Sequence, residues 1–253
     1  MPNPPLPVHE ELTKVKTFEC DLNSRWKPAA FFQHLTETAA LHVNELGCGF
    51  GVLAEHHLSW VHSRMKLQIL RFPLVEEQVT IRTWPKAIQQ KLFYVRDFEV
   101  LDGRQTCIAA ATSYWLIIDT QTRHLVSQRQ LQLEMPLLPE RHGLDQLLEK
   151  IDPGNGLEER LRLRAAYSAV DLVGHVNNSC YVEWICDTFP IEMYREQQID
   201  WIQINYDHEV LPNEAVSILS KPIDNTGAEW MIQGVNVSNG TQAFTARVLW
   251  KDK

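Results

Sequence analysis

Apolar positions along this chain recur with two different periods, and the order of the periods repeats. Phe31/Phe32, Leu35, Ala39 and Val43 stand at helical spacing behind Pro28, which suits an opening helical turn, and Gly47 is placed to end that helix. Strand-like runs follow. Val61, Met65, Leu67 and Ile69 alternate up to Phe72-Pro73, and Val79, Ile81 and Thr83 alternate up to Trp84-Pro85. A segment from Leu92 to Val100 runs into Asp102-Gly103, a tight hairpin signal, and Thr106–Ile118 returns as an almost wholly apolar strand. Ahead of the helix, Val15–Asp21 reads as a short strand and residues 1–13 as loose chain. Residues 46–57 are glycine-rich and read as a loop.

The second half runs through the same order. Leu161, Leu163 and Ala165 alternate. Tyr181, Trp184 and Ile185 then give the i, i+3, i+4 stripe of a core-facing helix. Strands are predicted at 200–209, 214–221, 229–237 and 242–251, with Asn225-Thr-Gly227 and Asn239-Gly240 as turns. Between the halves, residues 128–158 change character: a short helix is expected at 144–150 and a break at Asp152-Pro-Gly-Asn-Gly156. With an offset of 150, Asp21 falls on Asp171, Arg25 on His175, Phe31 on Tyr181 and Glu37 on Asp187. Those identities are too few to establish duplication; the order of elements carries it. The expectation is an α+β protein of two tandem units, each a curled antiparallel sheet around a long helix. Residues 1–136 form the first unit, 137–158 the linker and 159–253 the second.

Composition narrows the function. The 253 residues are 44% hydrophobic and 22% charged, an ordinary globular mixture. A net charge of −8 leaves no basic excess for phosphates, so nucleic acid is not an expected partner. No apolar run is long enough to span a membrane, and the start lacks the basic-then-apolar order of a signal peptide. The five cysteines form no C-x-x-C pair and are odd in number, which fits a reducing cytoplasm better than a disulfide scaffold. His34, His42, His56, His57 and His62 lack zinc-ligand spacing, and neither a phosphate-binding glycine loop nor Gly-x-Ser-x-Gly occurs, so no metal or cofactor is expected.

The chemistry concentrates in Asp171-Leu-Val-Gly-His175-Val-Asn177-Asn178-Ser-Cys-Tyr181. A carboxylate and an imidazole stand in a polar turn just before a helix, beside backbone N–H groups able to hold a developing oxyanion. An isolated Asp-x-x-x-His is more often a capped surface turn, and Asn177 and Asn178 read first as helix caps. The longer string is more specific. It resembles the active-site turn of hotdog-fold thioesterases, and the rest of the chain resembles the acyl-ACP thioesterases of bacteria and plants. Leu35-Thr-Glu37-Thr-Ala-Ala-Leu-His42-Val is similar to that family's first central helix. Gly49-Phe-Gly51, Trp60-Val-His-Ser-Arg64-Met65, Arg71-Phe-Pro73, Thr83-Trp84, Ser113-Tyr-Trp115 and Asp119-Thr-Gln-Thr-Arg123 continue the match. Asn205-Tyr206-Asp-His-Glu209 resembles a catalytic segment.

The resemblance implies two hotdogs in tandem and hydrolysis of fatty acyl thioesters, with acyl carrier protein as substrate partner. It places catalysis on Asp171, His175 and Glu209, with Asn177 and Asn178 as substrate-binding candidates. Two positions depart from the family. Val173 stands where an asparagine is usual, and Val210 where a cysteine is frequent. Val210 removes the simplest thiol nucleophile, and Cys180 reads as a small core residue, so attack by water is expected. Either Glu209 or Asp171 would take the proton while His175 orients or relays it. The first unit has Arg25-Trp26-Lys27 in place of His175-Val176-Asn177 and is expected to shape a pocket. Arg64, Arg71, Lys86, Arg123 and Arg141 are candidates for a basic carrier-docking surface. Acyl-CoA remains the rival substrate and a non-catalytic acyl-thioester-binding module the rival class. A monomer and a homodimer are both compatible, the resemblance favouring the dimer.

Overall fold

The computed structural model describes residues 6–131 and 133–253. Element by element, the chain runs β1 (His9–Lys14), α1 (Pro28–Glu45), α2 (Phe50–Glu55), β2 (Leu58–Ile69), β3 (Gln78–Gln89), β4 (Phe93–Leu101), β5 (Cys107–Asp119) and α3 (Gln128–Leu131). It continues with β6 (Glu158–Arg164), α4 (Asn178–Asp187), α5 (Ile191–Glu196), β7 (Gln197–Tyr206), β8 (Ala215–Pro222), β9 (Glu229–Asn236) and β10 (Gln242–Asp252). Two compact units emerge. The first takes in the chain up to Trp26, Gln33–Met65 and Leu70–Leu148; the second takes in Lys27–Phe32, Lys66–Ile69 and Glu149–Lys253. Among the described residues no helix is long and apolar enough to cross a membrane.

In the first unit the strands lie in the order β1-β3-β4-β5-β2, and in the second β7-β10-β9-β8-β6. The pairings of β1 with β3, β3 with β4 and β4 with β5 are all antiparallel, as are those of β6 with β8, β8 with β9, β9 with β10 and β10 with β7. Alternation puts Tyr94, Arg96, Phe98 and Val100 of β4 on one face of the first sheet. On the other face, Val95 packs with Tyr114 and Leu148. In the second unit Tyr181 and Trp184 are core residues, as their spacing predicts, and the Tyr181 ring lies against Trp184, Tyr206 and Phe244.

Four local expectations are corrected. The first strand is His9–Lys14 rather than Val15–Asp21, because Glu19 closes a 3-10 turn at Thr17–Glu19 by accepting from the Lys16 N–H at 3.0 Å. The glycine-rich stretch 46–57 holds α2, which starts after Gly49 and packs Leu53 inward. No helix forms at 144–150. There the Leu144 carbonyl accepts from Lys86 at 3.1 Å, the Leu148 N–H donates to the Tyr114 hydroxyl at 3.3 Å, and the Leu148 carbonyl accepts from Arg64 at 2.7 Å. Side chains of the first unit thus take the groups a helix would pair internally. The short helix α5 has no counterpart in the expected elements.

The internal repeat is clearer in backbone hydrogen bonds than in identities. Asp21 N–H donates to the Arg25 carbonyl at 2.8 Å, and Asp171 N–H to the His175 carbonyl at 2.9 Å. Trp26 N–H reaches the Pro73 carbonyl at 3.0 Å, and Val176 N–H the Val210 carbonyl at 2.9 Å. Leu70 and Arg71 share the Ile108 carbonyl as Asp207 and His208 share that of Ala243. The two units therefore carry the same turn in the same register, and Phe72 occupies the position of Glu209.

Candidate active site

The second unit's turn is built around the Asp171 carboxylate. Its oxygens accept from the Val173 N–H at 3.0 Å and from the Asn177 amide at 3.4 Å, while the Gly174 N–H reaches the Asp171 carbonyl at 3.1 Å. Gly174 sits at φ +84°, a left-handed conformation with a steric cost for any residue bearing a Cβ. Asn177 is the N-cap of α4. Its amide oxygen accepts from the Ser179 N–H at 2.9 Å and the Ser179 hydroxyl at 2.6 Å, so its side chain is committed within the turn. Asn178 is the first helical residue, and its carbonyl accepts from the Tyr206 hydroxyl at 3.4 Å.

Glu209 arrives from the far end of β7. After Tyr206 the chain leaves the strand, anchored where Asp207 and His208 both donate to Ala243, and the next residues lie along the turn, with the Val210 carbonyl holding Val176. This brings Glu209 Oε2 within 3.3 Å of His175 Nε2. The two side chains are 38% and 28% exposed, open enough for a reactant and sheltered enough to strengthen their interaction. The Asp171 carboxylate bonds to Val173 and Asn177, whereas the imidazole pairs with Glu209, so the three predicted catalytic residues divide into a turn-builder and a facing pair.

Cys180 lies in the same helix and is buried. Burial pushes its thiol up to about 12, and the negative charges of Glu183 and Asp171 add to the effect, so the neutral thiol prevails at ordinary pH and the thiolate needed for attack is scarce. Val210 is fully buried and Val173 about half exposed. None of the five cysteines is in a disulfide. Four of the five arginine and lysine candidates for carrier docking make pairings within the first unit. Arg71 pairs with Glu77 at 2.6 Å, Lys86 with Asp97 at 2.8 Å, Arg141 with Glu99 at 2.7 Å, and Arg64 donates to Leu148 and lies 5.2 Å from the centre of the Phe93 ring.

A helix and curled antiparallel sheet, repeated in tandem with a histidine–carboxylate pair at the start of the second unit's helix, define a double hotdog protein. Residues 7–130 match the model of the acyl-ACP thioesterase N-terminal domain and residues 155–252 that of the C-terminal domain. The chain belongs to the acyl-ACP thioesterase family. Among curated proteins it is similar to acyl-[acyl-carrier-protein] hydrolase FATB1 of Cuphea viscosissima, at 25% identity over 94% of this chain and 60% of the relative. To the oleoyl-acyl carrier protein thioesterase of Coriandrum sativum it is 27% identical over 90% of this chain and 66% of the relative. The chain thus spans about three-fifths to two-thirds of the length of these relatives. In fold it resembles an acyl-ACP thioesterase from Bacteroides thetaiotaomicron, with TM-score 0.81 and 24% identity over 96% of this chain and 98% of the other. It also resembles the 12:0-ACP thioesterase of Umbellularia californica, with TM-score 0.79 and 20% identity over 97% and 98%.

Proposed function

We propose that this chain hydrolyses fatty acyl thioesters, acyl-ACP in preference to acyl-CoA, to free fatty acid and thiol. The observation that carries the reading is the 3.3 Å approach of His175 Nε2 to Glu209 Oε2 beside the first turn of α4. Glu209 takes a proton from water as the oxygen attacks the thioester carbonyl, and His175 holds the water and passes the proton to the departing sulfur. Ser179 and Cys180 donate their N–H groups to Asn177, which leaves the Asn178 N–H for the carbonyl oxygen as charge builds on it. Asp171 fixes the turn that carries His175, and Asn177 joins Asp171 to the helix cap. In this reading the first unit, 1–136, lines the acyl chain, 137–158 links the halves and 159–253 carries the chemistry. The rival reading is acyl-CoA as substrate, which would need a site for its nucleotide.

Free-acid release from matched acyl-ACP and acyl-CoA panels tests the proposal, with His175→Ala as control. Faster release from acyl-ACP, lost in the variant, supports it. Preference for acyl-CoA keeps the chemistry and changes the partner. Binding without release by folded protein would reduce the chain to a thioester-binding module. A cytoplasmic location goes with five cysteines outside any disulfide, and sedimentation separates monomer from homodimer.

A further inference from the structure

In the core of the first unit, the Arg96 Nη2 atom and the Tyr94 hydroxyl are buried without a hydrogen-bond partner among the described residues. Arg96 and Tyr94, two residues apart on one face of β4, are each 4% exposed. The Arg96 Nη1 atom donates to His42 Nδ1 at 3.0 Å and to the Thr83 hydroxyl at 3.1 Å, but among the described residues neither its Nη2 nor the Tyr94 hydroxyl has a hydrogen-bond partner. Both of the Arg96 partners are uncharged. His42 is held neutral by burial and by the nearby Arg96 charge, its pKa lowered to about 4. The Cys48 thiol lies within electrostatic reach of both side chains, at the chain just beyond α1. The C-terminal end of α1 contributes partial negative charge. It supplies no acceptor to Nη2. A buried guanidinium without a carboxylate is costly, and a buried donor without an acceptor adds to that cost.

The surroundings are apolar. Tyr94 belongs to a cluster with Leu53 and Ile117, against which half-buried Leu58, Trp60, Trp115 and Met135 pack. Trp60 meets the Tyr94 ring edge-on at 5.0 Å and donates to the Cys48 carbonyl at 2.9 Å. A buried phenol within this partly exposed apolar cluster, with a buried guanidinium two residues along the same face of β4, matches one ligand chemistry: a carboxylate carried on a hydrocarbon chain. Arg supplies charge and Tyr a second donor, while the chain replaces the half-buried side chains it displaces.

We propose that Arg96 and Tyr94 form a carboxylate-binding niche in the first unit, whose ligand is a long-chain carboxylate. The carboxylate has two sources: the head group of a free fatty acid, or the distal end of a dicarboxylic acyl chain. The niche lies outside the His175–Glu209 pair, and only the second test arm depends on the proposed hydrolysis.

The first arm measures dodecanoate and 1-dodecanol binding by calorimetry to the whole chain and to Tyr94→Phe. That substitution deletes one oxygen and keeps the ring against Trp60. The expected result is dodecanoate bound at least tenfold tighter than the alcohol, with the ratio falling about tenfold in Tyr94→Phe, the loss of a hydrogen bond to a charged group. Equal binding of acid and alcohol, or an unchanged ratio in Tyr94→Phe, would overturn the niche. The second arm compares hydrolysis of dodecanedioyl and dodecanoyl thioesters. A preference for the diacid, lost in Tyr94→Phe, assigns the niche to the distal carboxylate. Dodecanoate binding with no such preference assigns it to the free acid. If hydrolysis fails altogether while dodecanoate still binds through Tyr94, the niche stands and the proposed function falls.

Discussion

The Arg25 guanidinium lies over the Phe72 ring, 5.8 Å from its centroid, at the two positions where the second unit sets His175 3.3 Å from Glu209. The backbone frame is the same in both places, since Trp26–Pro73 and Val176–Val210 make the matching hydrogen bond. A frame that presents a reactive pair in one unit therefore presents a packing contact in the other. Substitution should separate the roles. Phe72→Ala is expected to cost about 3 kcal/mol of stability, measured by denaturant unfolding, since it empties a largely buried site. Glu209→Phe should leave stability within about 1 kcal/mol, as expected for a half-exposed position, and abolish thioester hydrolysis. Loss of hydrolysis in neither variant would remove Glu209 from the mechanism.

Much of this was legible in the residues, and the failures have physical causes. The strands β2 to β5 and both long helices follow their periods because each buries one face or two. The strand β1 was missed because His-Glu-Glu-Leu-Thr-Lys at a sheet edge has little apolar content to alternate. The expected helix at 144–150 fails because Lys86, Tyr114 and Arg64, distant in sequence, bond the segment in extended form. The active-site turn was visible as a string, and the place of Glu209 came from resemblance. Its approach to His175 depends on Val210 pairing with Val176 across 34 residues, which no local pattern encodes. The Arg96–Tyr94 pair gave no signal, since its interest lies in bonds that are not made.

Asp171 holds the turn by accepting from Val173 and Asn177. Asp171→Asn keeps an oxygen for the Val173 N–H, whereas Asp171→Ala keeps nothing. The alanine variant should therefore lose about 1–2 kcal/mol of stability, with the asparagine variant closer to the parent. If Asp171 acts by positioning, Asp171→Asn should retain more activity than Glu209→Gln, which is expected to lower kcat by roughly 10²–10⁴-fold. Single-turnover kinetics on the two variants checks the order. The reverse order would make Asp171 the proton acceptor.

Cys180 tests the choice of water over a thiol. With the thiol held up to about 12, Cys180→Ala should hydrolyse substrate within about threefold of the parent and cost about 1 kcal/mol of stability through lost packing. The parent should also resist iodoacetamide at neutral pH at this position, read by peptide mass spectrometry. A collapse of turnover in Cys180→Ala without unfolding would put a thioester-exchange step back into the mechanism.

His62 provides the pH prediction. Its ring is stacked on Trp115 at 4.1 Å with an interplanar angle of 5°, and burial lowers its pKa from 6.5 to about 3. His42 is lowered to about 4 by burial and by the Arg96 charge. In both cases the unfolded chain takes up a proton below about 6.5 that the folded chain refuses. Stability is thus unaffected by these groups above that pH and falls as pH drops toward 4 and then 3. Each group contributes a slope of up to about 1.4 kcal/mol per pH unit in its window. His62→Phe keeps a flat ring against Trp115 and removes the titration. Urea unfolding at pH 7, 6, 5 and 4 should therefore show a shallower loss of stability in His62→Phe than in the parent, with the curves converging or crossing toward acid pH. Parallel curves would mean that the folded state accommodates the charged imidazole, and that His62 is not closed off from water.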